Sequence, residues 1–385
     1  MQKISYKKVK AIHYCVIPKT NNNAGDNLLY ELIRKIINYL VKDFEFEWII
    51  ESQWVISKAE EINNLNVDMV LFGGGGLFLP DQKGANNTNN TGWQINIPEE
   101  EYEKILPKVY GAAIGFNWFR KSKISKSIIK SSTKGFFKKA SIVGIRNYGS
   151  INEIRKILKS EEDMMWLPCA TSLIKKLCEK DFIIDIPRSL KKRIITKNFR
   201  KKKFLNLAIN LSCDRLDQRD ISANDFKKLV KTIKSLKEQG HKITYIAHKD
   251  LDLKASELIG LEMFDKVQNI SNLNSNEIFK SYLDFDIVFG GRGHSLMIPF
   301  GLGIPIVSLT THNKQIYFLK DAYLEKFSIE LSSYDSEKIF KTILWCIKNI
   351  ESQKSLINQY QEKGILAWID FANIIKRNLM HKYGI

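Results

Sequence analysis

The segment DIVFGGRGHSLMIPFGLGIPIVSL, residues 286–309, contains the pattern that decides the fold. Two short β-branched apolar runs flank a longer apolar stretch, which predicts a strand, a helix and a second strand. Strands joined in this way by a helix run parallel in one sheet. Arg292 and His294 stand at the first junction. A buried charge is costly unless it is paired, so Arg292 requires a partner in the protein or in a ligand.

The same alternation of strand and helix patterns extends along most of the chain. Amphipathic helical periodicity covers residues 27–41 and 224–240, and Gly240 stands where a helix cap belongs. Strands are predicted in two series, at 11–17, 44–50, 68–73, 108–115, 141–146 and 164–168, and then at 204–211, 242–248, 286–291 and 305–309. This alternation predicts an α/β protein with parallel sheets.

The length of the chain predicts more than one domain. At 385 residues it exceeds the size at which a single core usually stops growing. A basic, proline-containing stretch at 184–203 separates the two series of strands. We therefore predict Rossmann-like domains at 1–185 and 186–335, with their parallel sheets facing a cleft, and C-terminal helices at 336–385 that pack on them.

The composition is that of a globular protein, with 44% hydrophobic and 11% aromatic residues. No apolar run approaches the roughly 18 residues that span a bilayer, and the N-terminus has no signal-peptide pattern. Five cysteines form no C-x-x-C pair, and six histidines show no metal-binding spacing. We therefore expect a protein of the reducing cytoplasm with no metal site.

The formal net charge of +18 is concentrated in two clusters. Residues 120–139 carry eight basic and no acidic side chains, and residues 188–203 carry nine and none. Such clusters are typical of solvated surface, of an anionic membrane or nucleic acid site, or of a site for a phosphorylated substrate. Apolar residues interleaved with the first cluster, among them Phe136 and Phe137, favour the inner face of the membrane. No nucleic-acid-binding motif accompanies the charge, so we expect no nucleic acid partner.

Ligands of open parallel sheets bind beyond the carboxyl ends of the strands, so the loops there are candidate sites. Asn23, Gly25 and Asp26 follow the first strand. Asp26 would be either a helix N-cap or part of an Asn-rich turn that faces an anion or a sugar.

A run of four glycines follows the third predicted strand, and we interpret it either as a loop that approaches a ligand closely or as tight packing between domains. It consists of Gly73, Gly74, Gly75 and Gly76. The run matches neither a Walker A motif nor a dinucleotide-binding motif.

Further candidates follow the later strands. Gly111 and Gly115 pass through the end of the fourth strand, and Arg146 follows the fifth as a cleft residue or a surface ion-pair partner. Arg215 and Arg219 lie beyond the strand at 204–211, close to Asp214 and Asp217, which would be able to neutralise them.

The junction at Arg292 is the most specific of these candidates. With Gly293 and with Ser295 as the helix start, Arg292 would form an anion site, because an arginine fork and a helix N-terminus both favour carboxylate or phosphate. His294 would move a proton, or it would be a core histidine beside a structural arginine. Lys314 would bring a second cation to the cleft or lie at the surface.

In their order and spacing, these motifs resemble the polysaccharide pyruvyl transferase family over residues 12 to 320. The residues that carry the resemblance are Asn23, Gly25 and Asp26; Gly73 to Gly76 with Leu77; Gly111 and Gly115; Ile145, Arg146 and Ser150; Arg215; Arg292, Gly293 and His294; and Gly303, Pro305 and Lys314.

The resemblance implies a fold similar to GT-B glycosyltransferases and transfer of a pyruvyl group from phosphoenolpyruvate to a sugar as a ketal. It places the donor with Arg215, Arg292 and His294, and the saccharide acceptor, free or lipid-linked, on the N-terminal side. It implies no cofactor besides the donor substrate. Leu167-Pro168 stands where many relatives have Asp-Pro, and Arg-Gly-His replaces the commoner Arg-Leu-His.

Two other functions remain open from the sequence. A glycosyltransferase that uses a nucleotide sugar would share the scaffold, and an acidic residue contacting a ribose would support it. A non-catalytic membrane-associated scaffold or polyanion binder would depend on the basic clusters and not on Arg292 or His294.

Overall fold

Two six-stranded sheets, in which every paired strand is parallel to its neighbour, form the framework of the protein. The computed structural model describes residues 7–15, 23–52, 58–79, 97–116, 118–119, 126–159, 164–183, 185–197 and 202–385, with the backbone alone for 126–132. The predicted α/β class with two parallel sheets is confirmed. The exact domain limits at 185 and 335 stay a prediction.

The first sheet, which builds the N-terminal half, has the strand order β2-β1-β3-β4-β5-β6. Its strands are β1 (Lys7–Cys15), β2 (Phe44–Ser52), β3 (Met69–Phe78), β4 (Lys108–Phe116), β5 (Ala140–Ile145) and β6 (Met164–Trp166). The second sheet, which builds the C-terminal half, has the order β12-β11-β10-β7-β8-β9. Its strands are β7 (Asn206–Asn210), β8 (Lys242–Ala247), β9 (Lys266–Asn269), β10 (Ile287–Gly290), β11 (Ile306–Thr310) and β12 (Ser328–Glu330).

Fifteen helices are present in the described residues. They are α1 (Ala24–Leu40), α2 (Ala59–Asn63), α3 (Glu99–Tyr102), α4 (Lys126–Lys139), α5 (Tyr148–Leu158), α6 (Ile174–Glu179), α7 (Arg188–Thr196), α8 (Leu216–Arg219), α9 (Ala223–Glu238), α10 (Leu253–Ile259), α11 (Ser275–Leu283), α12 (Gly293–Gly301), α13 (Asn313–Asp321), α14 (Ser336–Lys348) and α15 (Gln353–Tyr383). None of these helices has the length and apolar character that crossing a bilayer requires.

All ten predicted strands are present. Among the strands of the described residues, β9 and β12 are the two that the sequence patterns did not predict. Both missed strands lie at an edge of the second sheet and are four and three residues long. Edge strands this short need no apolar run, so periodicity does not reveal them.

The four-glycine run is part of strand β3 and not a loop after it, which corrects that prediction. A Cβ on Gly73 would lie 2.6 Å from the carbonyl oxygen of Ala112 in β4, and one on Gly74 would lie 3.0 Å from Leu29 in α1. Gly74 and Gly75 also have φ angles of +81° and +90°, which side chains disfavour. Close packing inside the N-terminal half therefore explains Gly73 and Gly74.

Helix α12 is apolar on all sides because it lies between the two halves of the protein. A Cβ on Gly301 would lie 2.0 Å from the carbonyl oxygen of Thr171 in the N-terminal half. The side chain of Gln361 in α15 donates hydrogen bonds to the carbonyl oxygens of Phe300 and Gly301, at 2.8 and 3.1 Å. The last helix also reaches the N-terminal half, where the Trp368 indole donates to the carbonyl of Pro168 at 3.1 Å.

The structure assigns core and surface roles to part of the two basic clusters. Phe136 and Phe137 are buried against the first sheet, so these two rings do not support the predicted membrane contact. In the second cluster, Arg193 pairs with Asp284 at 3.0 Å and Lys202 with Asp286 at 2.8 Å. Residues 120–125 and 198–201 lie outside the described residues, and the membrane contact stays a prediction.

Replacement of Gly301 tests the contact between α12 and the N-terminal half. Gly301→Ala should lower the free energy of unfolding by about 1–3 kcal/mol, because the added methyl meets backbone that cannot rotate away. Leu366→Ala on α15 is the control, since Leu366 is 61% exposed and the change should stay within about 0.5 kcal/mol. Urea unfolding of both variants measures the difference, and equal stabilities would contradict the packing described for α12.

Candidate active site between the two sheets

The candidate site lies where the carboxyl ends of strands from both sheets meet. The N-terminal half contributes the start of α1 and the turn between β5 and α5. The C-terminal half contributes the turns that follow β7, β8, β10 and β11. A backbone hydrogen bond joins the halves at this place, from the amide of Ala24 to the carbonyl of His248 at 3.2 Å.

The start of α1 is capped by Asn23, and not by Asp26 as one sequence interpretation had it. The Asn23 side chain accepts from the amide of Gly25 at 3.1 Å and donates to Oδ2 of Asp26 at 2.8 Å. Asp26 therefore stands in the first helical turn with its carboxyl group directed at the site. Burial raises the pKa of this carboxyl, against the opposing pull of Lys249 and other cations.

His294 extends from the C-terminal half into a socket in the N-terminal half. Its Nδ1 lies 3.8 Å from Oδ1 of Asp26, and its Nε2 lies 3.8 Å from Sγ of Cys169. A Cβ on Gly25 would lie 2.1 Å from Nδ1, so only glycine leaves room for the imidazole. Burial, with the positive charges of Arg146, Lys314 and Arg292, lowers the pKa of His294 to about 3. The imidazole is therefore neutral at physiological pH in the ligand-free protein.

Arg292 has a partner within the protein. Its Nε donates to both carboxylate oxygens of Asp252, at 3.0 and 2.7 Å, and its Nη2 donates to Oδ1 of Asp252 at 2.6 Å. Nη2 also lies 3.1 Å from Oδ1 of Asp214. Burial works against the guanidinium charge, but the bonds with Asp252 raise the pKa of Arg292 above its usual value. The two carboxylates occupy one edge of the fork.

Asp252 is a residue that the sequence interpretation missed. It is fully buried beyond β8, and its Oδ2 also accepts from the amides of His248 and Lys249, both at 3.2 Å. It lies 40 positions from Arg292 in the sequence, so no local pattern joins the two. Its only sequence signal is an acidic residue a few positions after a strand end, where ligands and their supports collect.

Of the two arginines after β7, Arg219 enters the site and Arg215 stays exposed. Arg219 is buried, pairs with Asp214 at 3.0 Å, and donates to Oγ1 of Thr311 at 3.2 Å. Burial favours the neutral form of Asp214, but the positive charges of Arg292 and Arg219 hold the pKa of its carboxyl well below the usual range. Arg215 has a φ of +56°, and its guanidinium lies 5.4 Å from the ring centre of Phe119.

Arg146 follows β5 and is buried against the backbone of β4. A Cβ on Gly115 would lie 2.3 Å from Nε of Arg146, so this glycine makes room for the guanidinium. The turn is fixed by Asn147, which caps α5 through the amide of Ser150 at 2.7 Å, and by Ser150, which donates to the carbonyl of Phe116 at 2.8 Å. Burial lowers the pKa of Arg146, and Cys169 and Asp26 oppose this shift.

Lys314 is the cation with the least internal compensation. It stands in the first turn of α13, and its ammonium makes no hydrogen bond or ion pair with any residue that the structure describes. Burial, together with the positive charges of Arg219 and Arg146, lowers the pKa of Lys314 to about 7, against the pull of Asp214. A partly buried ammonium next to other cations favours an anionic ligand.

Two predicted donor-binding residues have structural roles in the ligand-free protein. The Ser295 hydroxyl accepts from the amide of Arg292 at 3.0 Å and donates to its carbonyl at 2.9 Å, so it fixes the start of α12. Gly293 lies beside Lys314, and a Cβ there would be 3.4 Å from Cε of the lysine. Helix α12 begins at Gly293, two residues before the predicted start.

The site as a whole is a cleft lined by charged side chains of both signs, with cations in excess. Four cations (Arg146, Arg219, Arg292 and Lys314) meet three carboxylates (Asp26, Asp214 and Asp252), and Asp214 and Asp252 are engaged by Arg219 and Arg292. Within the described ranges, no cluster of His, Cys, Asp and Glu has the geometry of a metal site.

A family profile for polysaccharide pyruvyl transferase matches residues 23–313, which include every residue of this cleft except Lys314. The chain belongs to the polysaccharide pyruvyl transferase family. The family resemblance predicted from the sequence motifs is thereby confirmed. No curated protein matches the sequence significantly.

Solved structures show the same fold at low identity. A putative UDP-N-acetylglucosamine 2-epimerase from Listeria monocytogenes superposes with a TM-score of 0.54 at 13% identity, over 98% of this chain and 97% of that one. A UDP-GlcNAc 2-epimerase from Neisseria meningitidis bound to UDP-GlcNAc gives 0.54 at 12%, over 97% and 100%. A glycosyltransferase from Rickettsia africae gives 0.50 at 14%, over 98% of each chain. This member of the pyruvyl transferase family has a GT-B-like fold.

Leu167-Pro168, which stands where many members of the family have Asp-Pro, lies close to the cleft. Leu167 is buried against Gly144 of β5, where a Cβ would lie 2.4 Å from the leucine side chain. Two residues later, Cys169 reaches His294, and its Sγ lies 3.1 Å from Oγ1 of Thr171. Burial raises the pKa of Cys169, so the thiol is neutral. This segment therefore places an uncharged thiol beside the imidazole.

Replacement of Gly25 tests the socket for His294. Gly25→Ala should displace the imidazole by more than 1 Å, because the added methyl would overlap the ring, and a crystal structure of the variant measures the shift. Tyr39→Ala, on the exposed C-terminal part of the same helix, is the control and should leave the ring in place. An unmoved His294 in Gly25→Ala would contradict the socket.

Proposed function

We propose that this protein transfers a pyruvyl group from phosphoenolpyruvate to hydroxyl groups of a saccharide and forms a ketal. Membership of the family supports the reaction class, and the cluster of cations at the cleft supports the donor. The single observation that carries the donor assignment is Lys314, a partly buried side chain beside three arginines, whose ammonium has no hydrogen bond or ion pair among the described residues.

The charge of the cleft is suited to a donor of this kind. Phosphoenolpyruvate is small and carries both a phosphate and a carboxylate, so it needs several cationic donors within a short span. Lys314 and Arg146 would bind these groups directly. Arg292, with Nε and Nη2 engaged, would offer Nη1, which makes no hydrogen bond to the described residues. Arg215, which is exposed and lies against the same Phe119 ring as Arg219, would approach the donor from the rim of the cleft.

His294 would be the proton donor, and donor binding would charge it. The pKa of its imidazole is low because of burial and the neighbouring cations, and the bound donor anion compensates those cations. The imidazole would then take up a proton and lie ready to deliver it. Asp26, 3.8 Å from Nδ1, would stabilise the imidazolium.

The proposed reaction begins with proton transfer to the donor and ends with loss of phosphate and closure of the ketal. Protonated His294 gives its proton to the methylene carbon of the donor, and positive charge develops at the adjacent carbon that bears the phosphate. A sugar hydroxyl attacks this carbon, and its proton passes to the now neutral His294. The carbon–oxygen bond to phosphate then breaks and phosphate leaves with the bonding electrons. A second hydroxyl attacks the resulting cationic carbon and gives its proton to the released phosphate, which closes a cyclic ketal. The cations of the cleft stabilise the departing phosphate.

The acceptor is proposed to bind on the N-terminal side of the cleft, at the start of α1 and near the half-buried Gly76. We further propose that the acceptor is a cell-surface polysaccharide or its lipid-linked precursor. The protein would act in the cytoplasm at the inner face of the membrane. A nucleotide-sugar glycosyltransferase is the alternative. It predicts that a UDP-sugar, and not phosphoenolpyruvate, raises the midpoint of thermal unfolding.

Replacement of His294 tests its catalytic role. His294→Ala should lower the rate of phosphate release from phosphoenolpyruvate in the presence of acceptor by about 10²–10⁴-fold, because the proton donor is lost. Donor affinity should change less than about threefold, since the cations remain. His241→Ala, on the opposite end of the second sheet, is the matched control. Near-normal turnover of His294→Ala would remove this residue from the mechanism.

Donor binding should take up protons. At pH 7.5 Lys314 and His294 are unprotonated in most molecules, since their pKa values are about 7 and about 3, and the bound donor anion would raise both pKa values. Calorimetric titration with phosphoenolpyruvate in buffers of different ionisation enthalpy measures the number of protons. We expect uptake at pH 7.5 and a smaller uptake in Lys314→Met. Proton release, or no change on Lys314→Met, would contradict the assigned electrostatics.

A further inference from the structure

Asp321, the last residue of α13, joins the two halves of the protein outside the cleft. Its Oδ2 accepts from the amide of Tyr148 at 3.1 Å and from Nε1 of Trp166 at 3.1 Å. Both donors belong to the N-terminal half, whereas α13 belongs to the C-terminal half. One carboxylate oxygen therefore receives two hydrogen bonds across the interface.

The amide of Tyr148 is a group that the helix itself leaves without a partner. Tyr148 is the first residue of α5, and first-turn amides have no intrahelical acceptor. A carboxylate is also favoured at a helix N-terminus by the helix dipole. Asp321 therefore caps α5 from the other half, next to the cap that Asn147 provides from within.

The surrounding side chains make this contact specific. Tyr317, one turn before Asp321, lies against Gly149, where a Cβ would be 2.3 Å from its ring. The rings of Tyr148 and Trp166 stack with their centres 5.6 Å apart and 5° between their planes. Trp166 meets the ring of Tyr360 edge-on at 5.4 Å. The interface at Asp321 is thus closely packed on both sides.

The contact also lies two residues from the cleft. Tyr148 follows Arg146 and Asn147 directly, and the amide of Arg146 donates to the carbonyl of Ile114 at 3.0 Å. The turn is short and bonded at both ends, so Tyr148 and Arg146 belong to one fixed segment.

We propose that Asp321 is a positioning residue, whose carboxyl group holds the turn between β5 and α5 against the C-terminal half and so sets Arg146 opposite Lys314 and Arg292. The contact goes beyond the proposed function, because it lies outside the cleft and the hydrogen bonds of Asp321 join it to Tyr148 and Trp166.

The clamp formed by Asp321, Tyr148 and Trp166 is sensitive to pH. Burial raises the pKa of Asp321 to about 7. The hydrogen bonds from the Tyr148 amide and the Trp166 indole and the positive charge of Lys320 lower it, but by less than burial raises it. The titratable groups that face it from the neighbouring elements are the phenols of Tyr148 in α5 and Tyr360 in α15. Hydrogen bonds to an ionised acceptor are the stronger ones, so the clamp tightens as the pH rises through 7.

Ionisation of Asp321 has the opposite effect on the stability of the fold. The folded-state pKa lies above the value of about 3.9 for an unfolded aspartate, so the folded state holds the extra proton between about pH 4 and pH 7. Asp321 therefore lowers stability as the pH rises across this window. Asp321→Asn should remove that part of the pH dependence of the unfolding midpoint.

The first test uses the indole N–H resonance of Trp166, assigned by its loss in Trp166→Phe. In the unmodified protein this resonance should shift with pH with a midpoint near 7, and the shift should be absent in Asp321→Asn. The control is Asp284→Asn, which removes a carboxylate from an exposed ion pair with Arg193 and should leave the titration intact. A Trp166 resonance that does not titrate near 7, or that still does so in Asp321→Asn, would overturn the proposal.

The second test separates the clamp from general packing. Tyr148→Pro removes the amide that donates to Asp321, and proline is well tolerated at the first position of a helix. Tyr148→Ala is the matched control, since it loses the same ring but keeps the amide. Binding of inorganic phosphate and of phosphoenolpyruvate should weaken by about tenfold in Tyr148→Pro relative to Tyr148→Ala, as expected for the loss of a hydrogen bond to a charged group.

Equal anion affinities in the two Tyr148 variants would contradict the positioning role. If the unmodified protein bound neither anion, the proposed function would fail, while the Trp166 titration would still decide the clamp. The two failures are therefore distinguishable.

Discussion

The buried bond between Arg292 and Asp252 is the interaction on which the candidate site depends. It places a full positive charge between two apolar elements, β10 and α12, and three close contacts to one carboxylate make this placement stable. Removal of one partner of such a pair costs about 3–5 kcal/mol, because the other charge is left buried. The bond thus fixes the turn from which His294 extends, two residues later. Arg292 acts first as a support of the site, and one remaining edge of its fork would meet the ligand.

The second constraint is that His294 needs both halves of the protein. The imidazole comes from the C-terminal half, and the glycine and the acid that enclose it come from the start of α1. The same principle applies at Asp321, where a carboxyl from one half caps a helix of the other. The geometry of the cleft is therefore set by the interface between the sheets, and changes at that interface reach the charged groups without touching them.

Much of the fold could be predicted from the sequence, because strand and helix periodicities are local. The ten longer strands and the paired α/β architecture follow from apolar runs alone. The candidate site was predictable in part. Arg146, His294 and Lys314 follow strand ends, as cleft residues do. The roles of Asp252 and Asp321 could not be predicted from the sequence, because their contacts join positions that are far apart in the chain. The glycine run misled for a related reason, since its close neighbours are in β4 and α1.

The choice between Arg215 and Arg219 shows the same limit. Both follow β7 within a few residues, and both guanidinium groups lie near the ring of Phe119, at 5.4 and 5.1 Å from its centre. Arg215 has a left-handed backbone and an exposed side chain, whereas Arg219 is buried with Asp214. A resemblance between motifs can identify matching residues, but it does not show which way each side chain points in the folded protein.

We propose that the cleft uses phosphoenolpyruvate to form a ketal on a saccharide. The most direct measurement follows the carbon at position 2 of the donor, labelled with ¹³C, by NMR during incubation with the protein and cell-surface saccharide fragments. We predict that the label appears as a ketal carbon attached to the saccharide, in step with released phosphate. A label that stays in phosphoenolpyruvate or appears only as free pyruvate, while a nucleotide sugar is consumed under the same conditions, would contradict the account.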